Sequence, residues 1–587
     1  MGAPSTATSP PRPAHAKPSR AFQPIDFGVL AAYVVLCALA LGREALLHPT
    51  RELIGVGLGG GRDEEQFAWD LQFAAHALTH LEDPLHTTLI YAPLGRALAW
   101  TASLTSLGIA ATPLTLLFGA FASFNVVAVL APAVSGWAVY LMCRILSPRG
   151  AGRAPAVGGG ALFAIGTYEV VETASHLNLS AVALVPVAVA LVALRLQRRI
   201  GPGWFVTLLA VTLGVQIYTS SEVLATMTAA GVLLLLATYW LVPPARVPMR
   251  ALPAELVIAY GGALVIGLPF LLSFYHHRTE LPHVEGGVWH ADLANLFVST
   301  PVTEVPGVGN AFGVGASHLS GVVTEQVAYV GVPLVGMLAA FLWEQRRTAA
   351  GRLTGIVLAG SLLFALGSKL TVLGHETAFR LPWELAEKLP LLSSAIPARL
   401  MLYFWLACSV ACAYFLARRE IWRWLLFAVV LISVAPASFV KAANAHLERP
   451  ALVNDRRLLA SVVPAGATVL TVPFGQVGAE MGWQVQSGLR FRLAGGYVGF
   501  YNPERYVPYE RAISALEGHW NGVSIRPELC GLIASSGSSI ILERLGDSTG
   551  RFPDVFRELG LRPREIGGFR VADVAPALRA AGACAAS

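Results

Sequence analysis

The chain contains little charge for its length. Only 13% of its 587 residues are Asp, Glu, Lys or Arg, whereas a soluble domain carries about 25%. Hydrophobic residues make up 55% of the sequence, and the mean hydropathy is +0.59. This composition excludes an ordinary soluble protein, and the long apolar runs are typical of a protein that crosses a membrane many times.

Several familiar catalytic motifs are also absent. The sequence has no Walker A loop, no HExxH helix and no GxSxG elbow, which argues against nucleotide-driven transport and common hydrolase chemistry. The six cysteines include no CxxC pair, so a redox or zinc motif of that kind is excluded. Cys530 and Cys584 lie where a disulfide could form if that part of the chain is outside the cytoplasm.

The arginines that are present follow a pattern. They cluster in every second hydrophilic gap between apolar runs, and the gaps between them carry acids and histidines instead. The basic gaps contain Arg144, Arg149 and Arg153; Arg195, Arg198 and Arg199; Arg246 and Arg250; Arg346, Arg347 and Arg352; and Arg418, Arg419 and Arg423. This is the positive-inside pattern. It places the basic gaps in the cytoplasm and explains the net charge of +6 without a nucleic-acid partner.

The apolar runs predict a mostly α-helical, polytopic membrane bundle over residues 25–440, with the N-terminus inside. About eleven spans are predicted, near 27–47, 124–146, 154–173, 178–197, 203–219, 222–242, 253–275, 327–344, 353–370, 397–417 and 422–440. Residues 1–24 are predicted to be a disordered cytoplasmic tail. Long external loops are expected over 48–123, 276–326 and 371–396, and segment 101–121 is interpreted as interfacial or re-entrant because crossing there would invert every later loop.

Composition changes near residue 441, and 441–587 is predicted to be a small external α/β domain. Strands are expected over 467–474, 539–542 and 569–571, with a helix over 554–559. In the first external loop, residues 66–81 have apolar side chains at helical spacing, which predicts an amphipathic helix on the membrane surface.

Three adjacent acids, Asp63, Glu64 and Glu65, come directly before that helix. A carboxylate at this position could act as a general base on a hydroxyl group. The alternative is that acids at a helix N-terminus only complement the helix dipole.

Further polar residues stand at other external boundaries of the predicted spans. Each could be an ordinary interfacial anchor, but together they put both signs of charge at one face, which suits an anionic lipid head group and a polar co-substrate. These candidate binding residues are His176, Asn178, Glu222, Glu325, Lys369 and Arg399, and Glu64 of the first external loop is predicted to bind substrate with them. Arg490 and Arg492 lie among aromatic residues and glycines in 481–497, as in a loop over a sugar or phosphate or in a structural turn.

The order of these pieces resembles the GT-C superfamily of membrane glycosyltransferases, and more narrowly a multispanning bacterial branch of it. The matching segments are Asp63–Phe67, His76–Leu78, Tyr91–Gly95, Pro113–Thr115, His176–Leu179, Ser221–Glu222, Leu381–Trp383, Pro397–Arg399 and Trp483–Tyr497. They extend over residues 25 to 500.

The resemblance implies transfer of a sugar from a polyprenyl-phosphate donor to a cell-envelope acceptor on the outer face of the bacterial inner membrane, with inversion. Asp63 would then be the catalytic base, with Glu65 as runner-up, and Arg399 with Lys369 or His176 would bind the lipid phosphate. Two other hypotheses stay open: the protein could be a lipid or polysaccharide transporter, or a non-catalytic membrane assembly protein. No cofactor is assigned, and a divalent cation is left open.

Overall fold

Helices make up most of the computed structural model, which describes residues 23–55, 62–148, 150–277, 289–389, 392–437, 444–499, 502–547 and 550–574. The helices that precede the C-terminal region are α1 Pro24–Leu41, α2 Arg43–Leu47, α3 Asp63–His80, α4 Thr105–Phe118, α5 Ala120–Leu146, α6 Ala154–Ala164, α7 Thr167–Ser175, α8 Leu177–Ser180, α9 Leu184–Leu196, α10 Pro202–Thr219, α11 Ser221–Leu241, α12 Arg246–Met249, α13 Leu252–Ile266, α14 Leu268–His276, α15 Val308–Ala311, α16 Val332–Gln345, α17 Ala349–Ala365, α18 Trp383–Ala386, α19 Met401–Leu416 and α20 Ile421–Ser433.

Six of the described helical segments are long and apolar enough to cross a membrane. They are 24–41, 120–146, 177–196, 202–219, 221–241 and 397–416. Two helix pairs, 154–175 and 243–266, satisfy the same test together but bend by 42° and 53° at a short break, so the number of spans rises to eight if each is one span. The chain is an integral membrane protein on this basis, and these eight segments overlap eight of the predicted spans.

The remaining predicted spans, 327–344, 353–370 and 422–440, coincide with the shorter apolar helices α16, α17 and α20. Segment 101–121, interpreted as interfacial, contains the equally short α4. The prediction of eleven spans therefore stays a prediction.

Helix α3 differs from the expected surface helix. Phe67, Leu71 and Ala74 are buried, as the periodicity indicates, but Gln66 and Asp70 are buried too. Helices α4 and α5 and a helix of the C-terminal region pack around α3. The expected exposed polar face is therefore absent from the described part of this helix, because protein covers most of its sides; its placement at the membrane surface stays a prediction.

The C-terminal region is built on a five-stranded sheet. Its helices are α21 Ala451–Asn454, α22 Arg456–Val462, α23 Glu480–Gln486, α24 Glu510–Leu516, α25 Arg526–Ser536 and α26 Val555–Leu559. The strands of the whole chain are β1 Glu52–Ile54, β2 His86–Thr87, β3 Arg96–Ala97, β4 Lys369–Val372, β5 His375–Arg380, β6 Asn444–His446, β7 Thr468–Val472, β8 Arg492–Leu493, β9 Ile540–Arg544, β10 Arg564–Ile566 and β11 Phe569–Asp573.

In that sheet the strand order is β10-β11-β9-β7-β8, with β7 parallel to β8 and β9 and the other pairs antiparallel. The apolar strands β7 and β9 lie inside the sheet, as their nearly continuous hydrophobic sequence favours. The three predicted strands and the predicted helix over 554–559 are all present at β7, β9, β11 and α26. Strand β1 of the first loop pairs with β6, which ties this loop to the C-terminal region.

Candidate active site

Helix α3 begins with the three predicted acids, and they have different surroundings. Glu65 is buried and accepts a hydrogen bond of 3.0 Å from Nη1 of Arg62. Nη2 of Arg62 lies 3.0 Å from Glu448, which also pairs with Arg544 of β9 at 3.2 Å. Glu65 therefore belongs to an ion-pair chain that fastens the start of α3 to the C-terminal sheet.

Glu64 is half-buried beside Gly55. Burial raises the pKa of its carboxyl group to about 8, and the neighbouring charges of Asp63 and Glu65 act in the same direction. Glu64 is thus expected to be largely protonated near neutral pH, and a protonated carboxyl group is not a base.

Asp63 faces the polar residues at the other boundaries. The hydroxyl group of Tyr497 donates a hydrogen bond to its carboxylate, and His176, Arg399 and Glu325 are close enough to influence its charge. Burial raises the pKa of Asp63 above its ordinary value, while Tyr497 and the two cationic side chains oppose that rise. Of the three acids, Asp63 is the one whose carboxyl group is influenced by the charges of His176, Arg399 and Glu325.

Arg399 is at the centre of this cluster. Its Nη2 and Nε contact the two carboxylate oxygens of Glu325 at 2.6 and 3.3 Å, and its Nη1 contacts Glu222 at 2.7 Å. The other oxygen of Glu222 accepts a hydrogen bond of 3.2 Å from the backbone N–H of Ile396. One guanidinium group thus joins the start of α11 to the loops before α16 and α19.

His176 joins the same cluster from the junction of α7 and α8. Its Nδ1 lies 3.1 Å from Glu172, and its Nε2 lies 3.8 Å from Glu325. Asn178 is buried two residues later, and no donor of the described residues reaches its Oδ1. The same holds for Oε1 of Glu172, so these two oxygens have hydrogen-bond capacity that the described residues do not use.

The other predicted binding residues are not brought to this cluster. Lys369 is half exposed and pairs with Glu376 across the β4–β5 hairpin. Arg492 is in β8, opposite Thr468, and Arg490 precedes it in the turn where its carbonyl accepts from Gly466. Within the described ranges, neither arginine forms an ion pair with an acid of the cluster.

Glu172 and Tyr497 are members of the cluster that the sequence did not predict as site residues. Glu172 is four residues before His176 on a helix, and this spacing is a usable signal because it puts both side chains on one face. Tyr497 comes from the C-terminal region, more than 400 residues from Asp63 in sequence, and no local pattern links the two.

The sequence alone does not decide whether the site holds a divalent metal ion. Among the residues that the structure describes, no group of three or more His, Cys, Asp or Glu side chains is arranged to hold a metal ion. The cluster acids Glu172, Glu222 and Glu325 instead contact His176 and Arg399.

The sequence matches, over residues 29–437, the family described as Domain of unknown function (DUF6311). The chain belongs to this family. The matched residues include α3 and all cluster residues except Tyr497. No curated protein is significantly similar to the chain in sequence.

Solved structures of membrane glycosyltransferases share the fold. The archaeal oligosaccharyltransferase AglB from Archaeoglobus fulgidus, in complex with an inhibitory peptide and a dolichol-phosphate, is 11% identical with a TM-score of 0.50, and the match covers 89% of this chain and 69% of that chain. The arabinofuranosyltransferase AftD from Mycobacteria is 15% identical with a TM-score of 0.55, covering 93% of this chain but 39% of that chain. The predicted GT-C fold is confirmed by this likeness.

Proposed function

We propose that this protein is a glycosyltransferase that moves a sugar from a polyprenyl-phosphate-linked donor to an acceptor hydroxyl group, with Asp63 as the general base. The observation that carries the proposal is the hydrogen bond from Tyr497 to Asp63, together with the electrostatic influence of His176, Arg399 and Glu325 on the Asp63 carboxyl group. The shared fold supports the reaction class, and the complex of the archaeal neighbour with dolichol-phosphate supports a lipid-linked donor.

The reaction needs a base and a stabilised leaving group. The acceptor oxygen attacks the anomeric carbon and gives its proton to Asp63, while the bond between that carbon and the phosphate oxygen breaks. The electron pair leaves with the polyprenyl phosphate. Attack opposite to the leaving group inverts the configuration at the anomeric carbon.

Arg399 and His176 are proposed to bind the leaving phosphate. Nη1 and Nη2 of Arg399 each carry two N–H groups, and each nitrogen donates one hydrogen bond to the cluster carboxylates, so the guanidinium group has further donors for a phosphate oxygen. A cation beside the departing oxygen stabilises the negative charge that develops there. Lys369 is less suited to this role because of its exposed position in the β4–β5 hairpin.

The reaction is proposed to take place at the non-cytoplasmic face of the bacterial inner membrane. The positive-inside pattern supports this side, because it predicts that the basic gaps are cytoplasmic and that the cluster residues are at the opposite helix ends. Cys530 is disulfide-bonded, which is typical of an oxidising compartment. Its predicted partner, Cys584, is outside the described residues.

A transfer assay tests this proposal. Purified protein in lipid is incubated with radiolabelled polyprenyl-phosphate sugars and a membrane extract as acceptor source. Asp63→Asn should lower the rate by about 10²–10⁴-fold, the usual contribution of a general base, with an unchanged thermal unfolding temperature. Asp83→Asn is the matched control, because it makes the same chemical change at an exposed site beyond the end of α3 and should keep full activity.

Two results would contradict the assignment. Full transfer by Asp63→Asn would remove Asp63 as the base. Movement of a labelled lipid across vesicles by folded protein, without transfer from any donor sugar, would instead support the transporter reading.

A further inference from the structure

A cavity of about 480 Å³ lies between the α9–α10 turn and the α12–α13 segment. Its lining comes from two of the basic gaps recognised in the sequence. The lining residues are Arg195, Arg198, Arg199, Ile200, Gly201, Pro202, Val247, Pro248 and Ala251. Two separate loops of the basic gaps thus converge on one open, shallow cavity.

This cavity is at the opposite end of the bundle from the Arg399 cluster. The segment 177–196 has 20 residues and α10 has 18, which correspond to roughly 30 and 27 Å at 1.5 Å per residue. The same helices have His176 and Glu222 near one end and Arg195 and Gly201 near the other. The cavity is therefore about one hydrocarbon thickness from the cluster, at the level of the opposite lipid head groups.

The charges in the cavity are only partly neutralised. Arg195 forms a two-pronged ion pair with Glu255, with contacts of 2.8 and 2.5 Å. Arg199 donates to the amide oxygen of Gln197 at 3.3 Å, and no acid within the described ranges forms an ion pair with Arg198 or Arg199. Two positive charges therefore remain beside the opening, in side chains that are exposed.

The rest of the wall is apolar. Ile200, Pro202, Val247 and Pro248 form a surface without charge next to the arginines. A ligand that fits has an anionic end and an apolar end. This combination is found in a phospholipid, whose phosphate would meet the guanidinium groups while its glycerol and acyl carbons would meet the aliphatic side chains.

We propose that this cavity binds a phosphate group, carried by the head group of an anionic membrane lipid. Arginine suits this role because its planar fork of N–H groups matches phosphate oxygens, and basic pockets between helices at the cytoplasmic side are suited to anionic lipid head groups. The same chemistry could bind free inorganic phosphate, and the experiment separates the two sources. The proposal concerns binding alone and does not depend on the proposed glycosyl transfer.

The test is a titration of the full-length protein in detergent with a fluorescent phosphatidylglycerol. Arg198→Ala/Arg199→Ala should weaken binding about 30-fold, since each basic side chain near the head group contributes about fivefold. Arg346→Ala/Arg347→Ala is the matched control, because it removes two adjacent exposed arginines from another basic gap and should leave the affinity unchanged. Equal loss in both double variants would overturn the proposal in favour of diffuse surface attraction.

A second variant fills the cavity without changing its charge. Gly201 lines the cavity, and a Cβ atom added there meets no atom within 4 Å. Gly201→Phe therefore starts a bulky side chain in open space and should also weaken phosphatidylglycerol binding at least tenfold. Unchanged binding by folded Gly201→Phe would overturn the cavity as the site.

Two competitors identify the source of the phosphate. Phosphatidylcholine should not displace the probe, which supports an anionic head group; equal displacement by it would overturn the charge-based site. Inorganic phosphate that displaces the probe at micromolar concentration, and loses this ability in Arg198→Ala/Arg199→Ala, would support the same site with free phosphate as its ligand.

Discussion

Asp63, Glu64 and Glu65 show how three adjacent carboxyl groups acquire different properties from their contacts. Glu65 is held by Arg62 in the chain of ion pairs that leads to the sheet. The pKa of Glu64 is raised to about 8 by burial. Asp63 is the acid that lies near the charges of the cluster and accepts a hydrogen bond from the Tyr497 hydroxyl group. We therefore assign the role of general base to Asp63 and not to the runner-up Glu65.

Tyr497→Phe should shift the pH dependence of transfer. Donation by the hydroxyl group stabilises the Asp63 carboxylate and lowers the pKa of Asp63. Without the donor this pKa rises, so the basic form appears only at higher pH, and the acidic limb of the pH–rate profile moves to higher pH. At high pH, where Asp63 is ionised in both proteins, the rates should differ by less than about tenfold, the effect of one hydrogen bond.

Tyr506→Phe is the control for this measurement. Tyr506 is another buried tyrosine of the C-terminal region, but its hydroxyl group donates to the carbonyl of Ala494. Removal of the Tyr506 hydroxyl group should leave the pH–rate profile of transfer unchanged. Identical profiles for Tyr497→Phe and the unmodified protein would refute the link between Tyr497 and Asp63.

Arg399→Ala should destabilise the protein strongly. The substitution leaves Glu222 and Glu325 without their guanidinium partner in a largely buried site, and an unpaired buried charge costs about 3–5 kcal/mol. Thermal unfolding in detergent should show this loss, and Glu325→Gln in the Arg399→Ala background should restore part of it. Arg380→Ala, which removes an exposed ion pair with Glu384, should change the unfolding free energy by less than about 1 kcal/mol.

At the scale of elements, the position of α3 depends on a helix far away in sequence. Nε1 of Trp69 on α3 donates to Oε1 of Gln484 on α23 at 2.6 Å. The amide nitrogen of Gln484 donates in turn to the carbonyls of Leu89 and Phe491 at 2.9 and 2.7 Å. A single buried amide thus connects α3, the following loop and the C-terminal region.

Gln484→Ala should therefore reduce both stability and transfer. It leaves the indole N–H of Trp69 and the carbonyl of Phe491 without their bonds to Gln484 in the interior, at about 1–3 kcal/mol for each unsatisfied group. The carbonyl of Leu89 keeps its bond from the N–H of Leu493. The substitution also loosens the support of Asp63. We expect a lower unfolding temperature together with a lower rate. Gln486→Ala, two residues later and half-buried, removes a side chain of the same kind and should have the smaller effect on both; the reverse order would contradict this role of Gln484.

Local sequence patterns predicted many of the helices and strands. They failed where contacts between residues distant in sequence determine the burial or position of a side chain. Strands β7 and β9 were predictable because each contains a short run of β-branched and apolar residues, and β11 because apolar Phe569 and Val571 flank a polar residue. The burial of α3 was not, since Gln66 and Asp70 look like a polar face until the chain supplies α4 and α23 to cover them. Among the candidate residues, Arg399 and Glu222 could be grouped from their shared boundary, but Tyr497 could not, because only tertiary folding brings it to Asp63.

For the whole molecule, the two ends of the bundle carry opposite chemistry. One end gathers Asp63, Glu172, Glu222 and Glu325 around Arg399, and the other brings two arginine-rich gaps to one cavity. The same span, 177–196, connects both ends. The positive-inside pattern read from the sequence therefore corresponds to a physical separation of charge along the bundle.

This separation predicts which residues can be labelled from outside an intact cell. Arg456→Cys, exposed on α22 of the C-terminal region, should react with a membrane-impermeant maleimide, whereas Arg347→Cys, exposed in a basic gap, should react only after the membrane is permeabilised. The unmodified protein should give little background, because Cys37, Cys143, Cys408 and Cys412 are buried and Cys530 is disulfide-bonded. Labelling of Arg347→Cys alone in intact cells would invert the orientation, and it would move the proposed transfer reaction to the cytoplasmic face.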